Sequence, residues 1–281
     1  MKVAVAQMRS GREVGANIAA MEALVRQAAA AGAVYVQTPE MTNIVERDRD
    51  TLLATVRPED SDPTLARARE LASQLGIHIH LGSLAVRGDR GNAANRSFLI
   101  GPSGAVIARY DKIHMFDVDL PGGESWRESR TYEPGGEAVV ARLGEAAIGL
   151  SICYDLRFPH LYRALAQGGA DILAVPSAFT RQTGEAHWHV LQRARAIENG
   201  AFVIAAAQGG RHADGRETFG HSIVVNPWGR ILAEAGEEPG VLAIDIDLGE
   251  SQAARSRIPA LQHDRRFSLG ADTNTRRAAT R

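Results

Sequence analysis

Apolar residues along this chain alternate between two periods. Residues 2–8, KVAVAQM, form a short β-rich run, and the next apolar positions are Ile18, Met21, Leu24, Val25 and Ala28. Their spacing of three and four residues predicts a helix with one buried face, and Gly32 supplies its stop. A strand over 33–37 then runs into Thr38-Pro39-Glu40, where proline ends ladder donation. The cycle repeats. Asp62 and Pro63 read as an N-cap and first helical residue; Leu65, Ala68, Leu71 and Leu75 read as the buried face; Gly76 reads as the end. Residues 77–86 return as a strand, and 97–110 form a hairpin around GPSG. Residues 116–137 hold few apolar positions and several Gly and Pro, which predicts a long irregular loop, a common carrier of function. Residues 146–152 are a buried strand that delivers Cys153. Helix 159–167, strand 171–175, helix 186–199 and strand 201–207 follow, then strands 221–226 and 241–247 flanking the turn Asn226-Pro227-Trp228-Gly229. Strands and helices thus alternate with interleaved hairpins, the pattern of a layered α/β fold with mixed sheets. No linker or short-period repeat interrupts it. One domain over 1–267 is expected, with a polar, basic and flexible tail over 268–281.

Composition narrows the partners. The 281 residues carry a formal net charge of −1, so no strong field of one sign attracts nucleic acid or an anionic membrane. No stretch approaches the roughly 20 apolar residues that span a bilayer. The opening MKVAVAQM reads as a strand and not as a signal peptide. Cys153 is the one cysteine, which rules out an intrachain disulfide and fits a reducing compartment, so the cytoplasm is expected.

Four polar residues stand out. Glu40 and Cys153 end buried strands, Lys112 follows a hairpin strand, and Glu128 lies in the long loop. Ligands of open α/β sheets gather at the carboxyl ends of strands. The chemistry of the four is complementary: a carboxylate accepts the thiol proton, and an ammonium favours the thiolate and stabilises the oxyanion of an attacked amide. Taken singly, each residue is more often structural or solvated, and periodicity alone does not bring them together. A Cys–His hydrolase is a second reading, although His160 is poorly placed for it. The pairs His78/His80 and His187/His189 lack zinc-site spacing. A non-catalytic, partner-binding protein is the reading from a different class.

Three segments carry a resemblance: Gln37-Thr38-Pro39-Glu40; Tyr110-Asp111-Lys112-Ile113-His114; and Ile152-Cys153-Tyr154-Asp155-Leu156-Arg157-Phe158-Pro159. In this order they resemble the signature regions of the nitrilase, or carbon–nitrogen hydrolase, superfamily. The resemblance runs from residue 2 to about residue 267. It implies a four-layer αββα sandwich with two mixed β-sheets, no cofactor or metal, and a homodimer or higher homo-oligomer. It implies Glu40 as base, Lys112 as the family lysine, Cys153 as nucleophile and Glu128 as an additional glutamate. Ser177-Ala178-Phe179, Ala186-His187-Trp188, Gln208 to His212 and Gln262-His263 resemble the Nit-type amidases. The deaminated-glutathione amidase branch is nearest, with the ω-amidase branch close behind and N-carbamoyl amine hydrolysis as a further alternative. A small amide carrying a carboxylate is therefore expected as substrate. Tyr154, Arg157, Ser177, Ala178, Phe179, Arg181, His187 and Trp188 are the candidate substrate contacts, and Arg211 and His212 are further candidates for its carboxylate.

Overall fold

In strand Lys2–Gln7 the alternation of side chains serves two cores. Val3 and Val5 pack with Ile148, Leu150 and Ile172, whereas Ala4 and Ala6 pack with Met21, Val25 and Leu71. The strand therefore has a sheet on one side and helices on the other. The computed structural model describes residues 1–121 and 123–268; the tail expected over 268–281 falls, from residue 269, outside the described residues. Six α-helices occur among them: α1 (Val14–Ala30), α2 (Arg49–Thr55), α3 (Pro63–Leu75), α4 (Pro159–Gln167), α5 (Arg181–Asn199) and α6 (Gly249–Arg257).

The first sheet runs, in spatial order, Gly240–Asp245, Lys2–Gln7, Tyr35–Gln37, His78–Arg87, Ala93–Ile100 and Val106–Asp111, with the short Tyr132–Glu133 beside Ala93–Ile100. The second runs Val140–Leu143, Ala146–Leu150, Ile172–Ala174, Phe202–Ala205, Ile223–Val225 and Ile231–Glu234. Along these paths both sheets show the same pairings: antiparallel, parallel, parallel, antiparallel, antiparallel. Helices α1 and α3 cover the outer face of the first sheet and α4 covers the second, with α5 packed beside α4. The result is the four-layer αββα sandwich that the family resemblance implied. Close contact with α4 demands Gly149, where a Cβ would sit 2.9 Å from Leu165 Cβ.

Local signals account for the helices. Asp62 accepts from Leu65 N, Pro63 opens α3, and Gly76 closes it at φ 67°. Two helices escaped the periodicity, α2 and α6. The former is a seven-residue helix with Leu52 as its one buried side chain, capped by Asp48, which accepts from Thr51 N. Helix α5 starts at Arg181, five residues before the expected 186, because the Thr180 side chain caps it. The region 116–137 is not one irregular loop: Asp117–Asp119 pairs with Ser125–Arg127, and a tight turn follows over Glu128–Arg130. Among the described residues, no helix is long and apolar enough to cross a membrane.

Candidate active site

Parallel strands in each sheet end at the same end of the sandwich. Tyr35–Gln37 leads to Thr38-Pro39-Glu40, and Ile172–Ala174 leads to Pro176-Ser177-Ala178. Both turns meet over Gly82, where a Cβ would collide with Thr38 O and Pro176 Cβ. The opening is braced across the sheets. Ala206 N donates to Gln37 Oε1 at 2.7 Å, and Gln208 Nε2 donates to Glu40 O at 3.0 Å.

Here Glu40, Lys112, Glu128 and Cys153 come together. Lys112 Nζ donates to Glu40 Oε1 at 2.8 Å and to both oxygens of Glu128 at 2.9 Å. Glu40 Oε2 accepts from Ala178 N at 2.9 Å, and Glu128 Oε2 from Phe116 N at 2.7 Å. Glu40, Lys112 and Cys153 are 4%, 2% and 8% exposed, so the two charges are not solvated surface groups. Removing one partner of such a buried pair costs about 3–5 kcal/mol, because the other charge is left uncompensated. Cys153 holds φ 50°, a left-handed conformation that costs a non-glycine residue roughly 1–2 kcal/mol. It heads a short 3₁₀ turn, Cys153–Arg157, and its N–H donates to Pro176 O at 2.9 Å.

Electrostatics divide the proton between the two acids. Burial pushes the Cys153 thiol well above its ordinary value, and the adjacent Glu40 carboxylate pushes it further, against the pull of Lys112. Burial alone would raise Glu40, but the Lys112 charge and hydrogen bonds from Lys112, Cys153 and Asn95 outweigh it and hold the carboxyl below its ordinary value. Lys112 is opposed by burial yet held well above its ordinary value by Glu128, Glu40 and Cys153. The resting set is therefore thiol, carboxylate and ammonium.

Two residues that organise the site were not singled out in the sequence. Asn95 sits within strand Ala93–Ile100, and its Nδ2 donates to Glu40 Oε1 at 2.9 Å and to Glu128 Oε1 at 3.2 Å. Asp155, fully buried, fastens two signature segments together. Its Oδ2 accepts from Tyr110 OH at 2.6 Å and Ile152 N at 2.9 Å; its Oδ1 lies 3.0 Å from His114 N and 2.7 Å from His114 Nδ1. The signal for Asp155 was its place inside the Cys153 motif. Asn95 left none, since a polar residue in a strand ordinarily marks the solvent face.

A cavity of about 530 Å³ opens above the four groups and is lined by all of them. Tyr154, Arg157, Ala178 and Phe179 line it as well. Other expected contacts lie elsewhere. Ser177 turns its hydroxyl to Val175 O at 3.0 Å. Arg181 pairs with Glu237 at 2.6 Å, near Glu185 and Glu217, because helix α5 begins there and directs it to that acidic edge. His187 is exposed and meets the Arg157 guanidinium at 3.3 Å. Trp188 is buried behind Phe179, ring centroids 5.0 Å apart, and donates from Nε1 to His221 O. Arg211 is exposed, outside the cavity lining, and His212 is locked between Ser10 O and Thr218 Oγ1. The cationic lining comes instead from Arg47, Arg49, Arg127, Arg130 and Arg216, alongside Arg157. Arg47 and Arg216 each place a guanidinium 4.6 Å from the Trp126 ring centroid. Among the described residues no histidine lines the cavity, which removes the Cys–His reading. His80 is buried and neutral, its pKa lowered to about 3 by burial, and it bonds Tyr35 and Ser97.

Two mixed sheets between helical layers, with thiol, carboxylate and ammonium joined at one end, define a hydrolase that acts on carbon–nitrogen bonds. The carbon–nitrogen hydrolase family pattern matches residues 2–256. The chain is 39% identical to the deaminated glutathione amidase of Yersinia enterocolitica over 266 residues, 94% of this chain and 92% of that one. It superimposes on the NitFhit protein of C. elegans with a TM-score of 0.87 at 35% identity, covering 94% of this chain and 65% of that one. It superimposes with a TM-score of 0.79 on a mutant of the amidase from Nesterenkonia sp. AN1, at 28% identity and 94% coverage of both chains. In that structure the acetamide moiety of fluoroacetamide is covalently added at the active-site cysteine. The chain belongs to the carbon–nitrogen hydrolase family.

Proposed function

We propose that the protein is a cysteine-dependent amidase that converts a small, carboxylate-bearing amide to acid and ammonia. The carrying observation is the Lys112 ammonium, held between Glu40 and Glu128 beside the Cys153 thiol at the floor of an arginine-lined cavity. In the proposed cycle Glu40 takes the thiol proton as sulfur bonds to the amide carbon. The oxyanion is held by Lys112 and by the Tyr154 N–H, which among the described residues makes no backbone hydrogen bond outside its own 3₁₀ turn. Glu40 returns the proton to nitrogen, the carbon–nitrogen bond breaks, and ammonia leaves. Water then gives a proton to Glu40, its oxygen attacks the thioester, and sulfur leaves and is reprotonated. Glu128 holds Lys112 in place. No metal or cofactor is required by these steps.

A substrate of the deaminated-glutathione kind fits six lining arginines, which suit carboxylates at the end of the ligand away from the amide. That choice is supported by the Yersinia relative's own activity. Residues 1–267 are taken as one catalytic domain, in line with the family match over 2–256. The single cysteine, which permits no intrachain disulfide, supports a cytoplasmic location. Exposed Ile197, Trp228 and Ile258, which border one shallow cavity, support a homodimer.

Ammonia release across deaminated glutathione, α-ketoglutaramate, succinamate, N-carbamoyl amines and nitriles tests the reading. Deaminated glutathione is expected to give the highest kcat/KM. Cys153→Ala and Glu40→Gln should each lower kcat about 10³-fold or more with the fold intact. A folded Cys153→Ala variant with ordinary turnover would exclude the mechanism.

A further inference from the structure

Outside the cavity, three side chains that the proposed chemistry does not use converge on one oxygen. His189 lies in the middle of α5, His221 in the turn before strand Ile223–Val225, and Glu234 at the end of strand Ile231–Glu234. His189 Nε2 and His221 Nδ1 each lie 2.8 Å from Glu234 Oε1. The three ligand atoms lie within 4.8 Å of one another. The frame around them is braced. Trp188 Nε1 donates to His221 O at 2.8 Å, and His221 N donates to Gly236 O at 2.9 Å. The His221 ring stacks on Phe219 with centroids 4.2 Å apart, and the His189 ring meets Phe219 edge-on at 5.9 Å.

We propose that His189, His221 and Glu234 form a site for a borderline-soft divalent cation such as Zn²⁺. Two imidazoles and one carboxylate are the donor set that zinc, cobalt and nickel take, and that magnesium and calcium, which prefer all-oxygen shells, do not. Three protein ligands leave a fourth position for water. With metal–ligand bonds of about 2.0–2.1 Å in a tetrahedron, neighbouring ligand atoms stand roughly 3.3 Å apart. On binding, the nitrogen–oxygen distances therefore open by about 0.5 Å and the two ring nitrogens come to the same separation. Hydrogen bonding of two histidines to a glutamate explains each contact singly. The metal explains why two rings, from a helix and from a turn, aim their nitrogens at the same oxygen. Side-chain exposures of 35%, 26% and 30% for His189, His221 and Glu234 leave an entry path. The ion would tie α5 to the edge strand of the second sheet, one residue from Trp188, which backs the cavity wall at Phe179.

The test uses the untagged full chain carrying Cys153→Ser, so that the cavity thiol cannot capture the probe. Zinc chloride is titrated by calorimetry, and thermal unfolding is followed with and without it. One equivalent of Zn²⁺ per chain is expected, with a raised Tm that magnesium chloride does not produce. His189→Ala and Glu234→Gln should each weaken binding about tenfold or more and remove the Tm rise, while their metal-free Tm values report that they are folded. His221→Asn, whose side chain tolerates the φ of 55° held there, should behave likewise. Saturable binding that survives His189→Ala and Glu234→Gln overturns the assignment, as does the absence of saturable Zn²⁺ binding.

Discussion

At Cys153 the surroundings favour the neutral thiol, while nucleophilic attack needs the thiolate. Burial and the Glu40 carboxylate keep the proton on sulfur in the resting enzyme, and Lys112 opposes them. In the proposed cycle attack is thereby coupled to substrate: the proton passes to Glu40 only as the developing oxyanion takes up the Lys112 charge. Two pH consequences follow. Glu40, held low, stabilises the fold above the ordinary glutamate value of about 4.3, and that contribution is lost as pH falls through its folded-state value. Cys153, held high, contributes fully below about 8.5, and its contribution is lost as pH rises through its folded-state value. Alkylation of Cys153 by iodoacetamide is therefore expected to show a pH inflection above about 8.5. Glu40→Gln should move that inflection down, because it removes a charge that raises the thiol pKa, even as it abolishes turnover. An inflection that stays in place or rises in Glu40→Gln would show that this carboxylate does not face the sulfur.

Among the elements, the turn Cys153–Arg157 decides where the proposed nucleophile stands. Asp155, two residues beyond the positive-φ Cys153, pins the turn by taking hydrogen bonds from Ile152, Tyr110 and His114 at once. Asp155→Asn replaces one acceptor oxygen with a donor facing donors. It should lower stability by about 1–3 kcal/mol, read from denaturant unfolding, and lower kcat through a displaced Cys153. Unchanged stability and turnover would mean the turn holds itself. The strand ends that carry Glu40 and Cys153 were legible because buried apolar runs stop there, and α3 because its cap, proline and glycine all mark it. The hairpin within 116–137 was not, since three-residue strands rich in charge have no readable period. Arg181 and Trp188 follow the cavity residues Ala178 and Phe179 closely in the sequence, but helix α5 begins at Arg181 and carries both away, Arg181 to Glu237 at the acidic edge and Trp188 into the packing behind Phe179.

Across the whole molecule, the sandwich brings together residues far apart in the chain. Glu40 and Lys112 come from the first sheet, Cys153 from the second, and Glu128 from the segment that joins the two sheets. Pattern reading yielded the layers and the alternation. The convergence of the four groups needed the family resemblance, because it depends on two sheets with the same order of pairings stacked face to face. The arginine lining was hidden for the same reason: Arg47 and Arg216 lie on two separate loops and Arg127 ends a short strand far from both in the sequence. The central claim is that Cys153 sulfur becomes acylated during turnover. Its most direct test mixes the native enzyme with deaminated glutathione, quenches in acid within one turnover, and measures the mass of the Cys153 peptide. A thioester adduct of the acyl portion on Cys153 is expected, formed together with about one equivalent of ammonia. Ammonia release at full rate with Cys153 unmodified, or with the acyl group on another residue, would contradict it.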